Sequence, residues 1–208
     1  MRAGSLCGDK IKKSPEIANL IKALSKIQGF GNRSAVRAVL NLIANKDAKL
    51  TPLIKALCDV EQNITKCAVC GNFDTCNPCS ICSDVRRDAG TLCIVDDISS
   101  LWAMERGDIY NGKYHITGGI LSAINGIEPV DLNLAGLCER VKTEEIKEVI
   151  LALPATIDAK ITSHYIINLL SGIDVKITEL MQGIPIGGEL DFLDEGTISA
   201  ALQQRKTI

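Results

Sequence analysis

The chain has 208 residues, of which 46% are hydrophobic and 23% charged, a composition typical of a globular protein that can bury a sizeable core. Its net charge is −2, no apolar run reaches the ~20 residues that span a bilayer, and residues 1–13 lack the apolar stretch of a secretory signal. These properties exclude membrane-spanning and secreted classes and predict a soluble, cytoplasmic protein, in which clustered cysteines indicate metal binding rather than disulfides.

The small net charge hides an asymmetry between the two ends of the chain. Residues 1–90 hold 14 Lys and Arg against 8 Asp and Glu, a net charge of +6, whereas residues 91–208 hold 9 against 17, a net charge of −8. Small helical domains are often modestly basic, but a basic first part joined to an acidic second part also suggests that the first part binds a polyanion such as nucleic acid.

Three short helices are predicted in the basic part. Apolar residues recur at helical spacing over residues 14–28, where Ser14 can cap the helix and Pro15 suits its first position. A second helix is predicted over residues 32–46, and a third begins at Thr51. The expected buried face of the second helix consists of Val36, Val39, Leu40 and Ile43.

The turn between the first two helices carries a G-x-G pattern, Gly29-Phe30-Gly31, followed by arginines. Arg33 and Arg37 are four residues apart and therefore share a face of the second helix, whose N-terminal amides can meet a phosphate. An ordinary helical hairpin would explain the glycines alone. With two arginines in a basic region, the pattern predicts a helix-hairpin-helix that grips the DNA backbone.

Five cysteines lie within residues 67–82. Cys67 and Cys70 form one C-x-x-C pair and Cys79 and Cys82 another, a spacing typical of a tetrahedral, structural Zn²⁺ site without an open coordination position. Cys76 forms a competing C-x-x-C with Cys79, so spacing alone leaves it open as a ligand, although Cys82 would then have no partner.

The remainder of the chain alternates between predicted strands and helices, which indicates right-handed βαβ units on a parallel sheet. The boundary with the basic part is expected within residues 83–90. Strands are predicted at 92–95, 114–117, 148–153 and 175–178, and helices at 99–107, 132–142, 160–172 and 196–205.

Acidic residues follow two of these strands. Asp96 and Asp97 come directly after the first strand, and Asp158 follows the third, at the sheet edge where ligands of parallel sheets bind. Magnesium chemistry on phosphates needs several converging carboxylates, and Asp158 has only Lys160 beside it. Solvated strand-end acids are therefore the simpler interpretation. His115 and His164 are isolated, and no nucleophilic triad is apparent.

The order of these parts resembles the RecR family of bacterial recombination mediators. The likeness covers essentially the whole chain and is strongest in QGFGNRSAVR, the cysteine group, LCIV, NGIEPVDLNLAGL and GIPIGGELDFLD. It implies an α+β multidomain fold with a mainly parallel sheet. The implied domains are a helix-hairpin-helix (1–65), a four-cysteine zinc finger (66–84), a Toprim α/β domain (90–182) and a Gly-rich oligomer-contact segment with a helix (183–208).

The resemblance also implies a function. Members of the family have no catalytic activity of their own and act with RecO and RecF to help load RecA onto single-stranded DNA. They form dimers and ring-shaped tetramers around single- or double-stranded DNA, and the expected location is the cytoplasm, in association with the nucleoid. The family's DNA-contacting residues fall here on Arg33 and Arg37, and its zinc ligands on Cys67, Cys70, Cys79 and Cys82.

The chain departs from the family at the acidic positions of the Toprim domain. Where the family has Glu, Pro and Asp near the first strand, this chain has Asp96, Ile98 and Ser100, and its PATIDAK retains Asp158 with Lys160 in place of a second acid. Asp96 and Asp158 are the expected remnants of the partner contact. The alternatives are a metal-dependent Toprim enzyme of the nuclease or primase type and a zinc-stabilised protein-interaction module without a DNA role.

Overall fold

A computed structural model describes residues 14–181, 183, 184, 187 and 189–203. Residues 1–13 and parts of the predicted C-terminal segment 183–208 lie outside the described residues. The chain divides into two compact units, Met1–Asn63 and Ile64–Ile208. Across the described ranges, no helix has the length and apolar character needed to cross a bilayer.

The first unit is helical, as predicted. Ser14 caps α1 through a hydrogen bond from the Ile17 amide to its side chain, and Gly29 adopts a φ of 82°, which lets the chain turn tightly before α2. A π-helical turn at Lys46–Leu50 leads into the third helix. The helices are α1 (Pro15–Ser25), α2 (Asn32–Ala44) and α3 (Thr51–Asn63).

The core of the first unit is small and lies between α1 and α2. Ile21, Ala35 and Val39 are buried there, with Ile17, Leu20, Leu24 and Val36 packed around them. The predicted buried face of α2 is wrong in part, because Leu40 and Ile43 are 55% and 41% exposed. Their side of α2 carries apolar residues that nothing in the described chain covers.

The second unit combines a short hairpin with a four-stranded parallel sheet in the order β4-β3-β5-β6. The hairpin strands β1 and β2 are antiparallel. The elements are β1 (Thr65–Lys66), β2 (Phe73–Asp74), α4 (Ser80–Ser83), β3 (Asp88–Val95), α5 (Ile98–Arg106), β4 (Gly112–Ile116), α6 (Leu137–Thr143), β5 (Glu148–Ala152), α7 (Ile157–Leu170), β6 (Lys176–Glu179) and α8 (Glu195–Gln203).

Alternation along the central strand β3 fills two layers of core. Leu92 and Ile94 join the cluster that contains residues of α6 and α7, whereas Cys93 and Val95 join the cluster around Leu101 of α5. Successive side chains of a strand point to opposite faces, and a parallel sheet is normally covered on both. The predicted fold class, helices with a mainly parallel sheet and a cysteine cluster, is therefore confirmed.

Two elements begin at residues other than those predicted. The helix expected over residues 132–142 begins only at Leu137, because turns and a 3₁₀-helical segment at Pro129–Asp131 precede it. The expected boundary segment 83–90 ends inside β3, which begins at Asp88. Neither difference alters the order of the elements, so the carboxyl ends of β3 and β5 lie side by side, with Val95 paired to Ala152.

Candidate zinc centre and nucleic-acid interface

Four cysteine sulfurs come together in the finger formed by residues 64–84. The Sγ atoms of Cys67, Cys70, Cys79 and Cys82 all lie within 4.8 Å of one another, and three of the four side chains are buried. Across the two C-x-x-C pairs, the sulfur of Cys70 lies 3.5 Å from that of Cys79 and the sulfur of Cys67 lies 4.0 Å from that of Cys82. Four sulfurs at this spacing fit a tetrahedral Zn²⁺ with all positions occupied by protein, which is the arrangement of structural sites.

Backbone hydrogen bonds prepare the first pair for a metal. At the first pair the Gly71 amide donates to the Cys67 carbonyl, and Gly71 adopts a φ of 87°, a conformation that L side chains rarely adopt. Backbone amides also donate to sulfur: Asn72 to Cys70 at 3.4 Å and Cys79 to Cys67 at 3.3 Å. Such hydrogen bonds favour thiolate, the form that binds zinc.

The thiol pKa values shift in opposite directions within the cluster. A hydrogen bond from Cys82 lowers the pKa of Cys70, whereas burial raises the pKa of Cys79 and the hydrogen bond to Cys70 raises that of Cys82. Negative charge on one sulfur therefore opposes ionisation of its neighbours. A divalent cation removes this conflict, so the donor set fits Zn²⁺ and metal binding releases protons.

Cys76, which the spacing left open as a ligand, is exposed and is absent from the group of close sulfurs. The loop around it is organised by Asp74, whose carboxylate accepts hydrogen bonds from the Ser80 amide and hydroxyl at 2.8 and 2.7 Å. These bonds lower the pKa of Asp74 to about 2. The loop thus brings the second pair to the first without using the Cys76 thiol.

The finger is attached to the edge of the sheet. The Ile116 amide of β4 donates to the Cys70 carbonyl at 2.8 Å, and the Asn133 side chain donates to the Ile116 carbonyl at 3.0 Å. Because β4 is an edge strand, its outward backbone groups need partners. The first cysteine pair therefore takes the place of a neighbouring strand.

Arg140 of α6 reinforces this junction. Its Nη1 donates to the Tyr114 carbonyl at 2.8 Å and to the Val69 carbonyl of the finger at 3.4 Å, while its Nε donates to Glu144 at 2.9 Å. His115 lies beside it: Nε2 is 2.6 Å from the Asn133 carbonyl, and Nδ1 is 3.4 Å from Arg140. Both contacts suit a neutral imidazole that donates from Nε2 and accepts at Nδ1.

Protonation of His115 should destabilise the fold in mild acid. Burial lowers the pKa of His115 to about 4, below the ~6.5 of an unfolded chain. The unfolded chain therefore takes up the proton first, and stability present above pH ~6.5 is lost as the pH falls toward 4, by up to ~3 kcal/mol. Between pH 7 and 5, denaturant unfolding should show a smaller loss of unfolding free energy for His115→Gln than for the wild-type protein. Equal dependence of the unfolding free energy on pH in the two proteins would contradict this assignment.

The predicted DNA-binding residues lie in the first turns of α2, directly after the turn that joins α1 to α2. Arg33 and Arg37 are exposed, and within residues 14–181 neither guanidinium forms an ion pair. Gly31 is the N-cap of α2 and provides no side-chain hydrogen bond to its first turn. Free amides and two free guanidinium groups at one helix end are suited to phosphate.

The predicted acids lie at the carboxyl edge of the sheet, where Asp96 and Asp97 are held in local hydrogen bonds. Asp96 accepts from the Ser100 hydroxyl at 2.8 Å, and Asp97 caps α5 by accepting from the Ser100 amide at 2.8 Å. Asp158 lies in the first turn of α7. In the described part of the chain, the four cysteines are the one group of three or more His, Cys, Asp or Glu ligands arranged for a metal.

Sequence reasoning missed the buried Arg140 and a partly buried ion pair in the second unit. Arg87, which precedes β3, forms an ion pair with Glu105 of α5, and Glu105 also accepts from the Tyr114 hydroxyl at 2.8 Å. Arg140 contacts residues 26 and 71 positions away. Glu105 and Arg140 lie inside predicted helices, where charged residues normally face solvent, so no local signal marks their contacts with distant residues.

A parallel α/β sheet with a four-cysteine finger at its edge defines a Toprim-domain protein with a structural zinc. A family model described as "Toprim domain" matches residues 90–180, one described as the four-cysteine zinc finger domain of RecR matches 64–84, and one described as "RecR, C-terminal" matches 183–206. The zinc predicted from spacing is thereby confirmed as the structural cofactor.

Curated relatives extend the likeness to most of the chain. The recombination protein RecR of Brucella anthropi is 53% identical over 194 residues, which are 93% of this chain and 96% of the relative. RecR of Brucella melitensis biotype 1 is 52% identical over the same shares. The chain belongs to the RecR family of recombination proteins, and the predicted resemblance is confirmed.

Proposed function

We propose that this chain is a non-enzymatic DNA-binding mediator of recombinational repair that acts with RecO and RecF to help load RecA onto single-stranded DNA. The observation that carries the proposal is the pairing of a basic helical hairpin with a zinc-braced Toprim sheet in a RecR family chain. In this scheme residues 1–65 bind DNA, 66–84 brace the sheet, 90–182 meet partners, and 183–208 contribute to oligomer contacts. The site of action is the cytoplasm, at the nucleoid.

DNA binding is assigned to Arg33 and Arg37. Residues 1–63 hold 11 Lys and Arg against 5 Asp and Glu, a net charge of +6, which attracts single- and double-stranded DNA alike through the phosphates. Contacts of this kind fix position on the backbone and carry no sequence information. A mediator that works wherever single-stranded DNA appears requires this lack of sequence preference.

Protein partners are assigned to the carboxyl edge of the sheet. Asp96 and Asp158 are both partly exposed there, and residues 64–208 hold 12 Lys and Arg against 20 Asp and Glu. An acidic surface repels DNA and favours basic protein surfaces. RecO and RecF are the partners that the family resemblance suggests for these acids.

Self-association is supported by the uncovered apolar residues of the first unit. α3 buries no residue, although it carries several large apolar side chains, and Leu40 and Ile43 of α2 are also exposed. An apolar surface of this kind usually marks a protein–protein contact. The exposed large apolar residues of α3 are Leu53, Ile54, Leu57 and Val60. A second copy of the chain would cover them, as a dimer or a ring tetramer requires.

Lack of catalysis is supported by the acids and by the tyrosines. Phosphoryl transfer by two metal ions needs carboxylates that converge, whereas Asp96 and Asp97 are engaged by serines of α5. A nucleophilic tyrosine needs an accessible hydroxyl and a favourable pKa. Burial instead raises the pKa of Tyr114, and raises that of Tyr110 to about 12.

The proposal predicts that the chain and RecO together accelerate RecA assembly on single-stranded DNA covered by single-strand-binding protein. Neither protein alone should do so to the same extent, because the hairpin supplies DNA contact and the acidic edge supplies partner contact. Stopped-flow fluorescence of labelled RecA measures the rate. Arg33→Ala with Arg37→Ala should lose most of the acceleration.

Two outcomes would contradict the proposal. Equal RecA assembly rates with and without the chain, in the presence of RecO, would remove the mediator role. Nicking or synthesis of DNA with Mg²⁺ that is lost in Asp96→Asn would instead establish a Toprim enzyme. The chain with Asp174→Asn is the matched control, because it removes one carboxylate from the same unit.

A further inference from the structure

A cleft of about 350 Å³ lies between the zinc finger (residues 64–84) and the first turn of α5. The large apolar residues of its lining are Phe73 of β2, Ile98 of α5 and Ile116 of β4. Lys66 and Asp97 are the charged residues of the lining. The volume is at the lower end for ligand-binding pockets, about what one or two large side chains occupy.

The finger forms one fixed wall of this cleft. Its Cys70 carbonyl is bonded to the Ile116 amide, and the next residue, Gly71, lies so close that an added Cβ would be 3.4 Å from Ile116 and from Asn133. The wall is therefore held by backbone contact to the sheet and by the cysteine pair that precedes it. Its position depends on the metal, because the metal holds Cys67 and Cys70 together.

Two aromatic side chains, Phe73 in the lining and Trp102 one helical turn beyond Ile98, are more exposed than folding explains. Phe73 is 51% exposed although it lines the cleft, and Trp102, 56% exposed, follows Ile98 by one helical turn on the same face of α5. Half-exposed aromatic side chains beside a concave surface are typical anchors for a protein partner. The described chain has no segment that fills this space.

Acidic residues in and next to the cleft favour a positively charged partner. Asp97 lines the cleft and is exposed, and Asp96 is its neighbour in sequence. Asp97 accepts hydrogen bonds from the Ser99 hydroxyl and the Ser100 amide, which hold its carboxylate in place. With a net charge of −8 over residues 64–208, complementary binding calls for a basic segment, although Lys66 adds one local positive charge.

We infer that this cleft receives a large apolar side chain from a basic segment of the partner that meets the acidic edge. The inference rests on the proposed function, since it extends the Asp96 surface to the zinc finger. The metal would then shape a partner site in addition to bracing the fold. DNA binding by the first unit would not depend on the cleft.

The test measures the affinity of full-length protein for purified RecO by calorimetry. Phe73→Ser removes one wall, and Ser99→Phe fills the cleft from an exposed position. Each should weaken RecO binding about tenfold or more, the range expected for a partner anchor. Zinc content and DNA affinity should stay at wild-type values. Ile124→Ser, which removes an exposed apolar side chain from a turn outside the cleft lining, should bind RecO normally.

Each alternative result has a distinct meaning. Wild-type affinity for RecO in both cleft variants would overturn the inference and leave the proposed function intact. Ser99→Phe leaves Phe73 in place, so it tests the inference even if Phe73→Ser fails to fold. If the wild-type protein binds DNA but not RecO, that result contradicts the proposed function, and with it the inference about the cleft.

Discussion

Replacing Cys79 with Ser is expected to lower the zinc content from one ion per chain to none and to unfold the finger. Cys79 is fully buried, and its sulfur lies 3.5 Å from that of Cys70. A hydroxyl is a poor zinc ligand, and three remaining thiolates repel one another. The free energy of metal binding is the folding free energy of such a segment, ~10–16 kcal/mol in zinc-finger peptides. Elemental analysis gives the zinc content.

The matched control is Cys76→Ser, a loss of the same thiol from the same finger at an exposed position. This variant should retain its zinc and its thermal unfolding midpoint. The reverse pattern, with zinc lost from Cys76→Ser and kept by Cys79→Ser, would make Cys76 a ligand and contradict the assignment.

Loss of zinc should destabilise the edge of the sheet but leave the helical hairpin of the first unit folded. The Ile116 amide is protected by the Cys70 carbonyl, so its hydrogen exchange should accelerate in Cys79→Ser. The first unit has a separate core around Ile21, Ala35 and Val39. DNA affinity should therefore change far less than the exchange rate at β4.

Much of the fold could be predicted because its signals are local. The continuous apolar run Leu92-Cys93-Ile94-Val95 is typical of a strand buried on both faces. The C-x-x-C spacing brings the two thiols of each pair together without reference to the rest of the chain. Both signals depend on neighbours within a few residues. The order of strands and helices then limits the topology to a parallel sheet.

What could not be predicted depends on distant contacts. Apolar periodicity indicates that Leu40 and Ile43 share a face of α2, but it does not say whether any element covers that face, and none in the described chain does. Arg140 lies on a short helix with ordinary charged neighbours, yet its guanidinium reaches the Val69 carbonyl of the finger. Such contacts exist only once the finger lies against the sheet.

The largest effect on nucleic acid is expected from Arg33→Ala combined with Arg37→Ala. Both guanidinium groups are exposed beside the uncapped start of α2, where a phosphate can meet two cations and free amides together. Affinity should fall for every DNA sequence tested, and the slope of log affinity against log salt should decrease by about one unit per lost contact. Fluorescence anisotropy over a salt series measures both quantities.

The matched control separates a specific contact from a change in total charge. Arg86→Ala with Lys176→Ala also removes two positive charges, from exposed side chains of the second unit that pair with Asp84 and Glu148. If attraction between net charges governed binding, the two double variants would weaken it equally. If the helical hairpin contacts the DNA phosphates directly, only Arg33→Ala with Arg37→Ala will lower the slope of log affinity against log salt. Wild-type affinity in that variant would exclude the hairpin as the DNA surface.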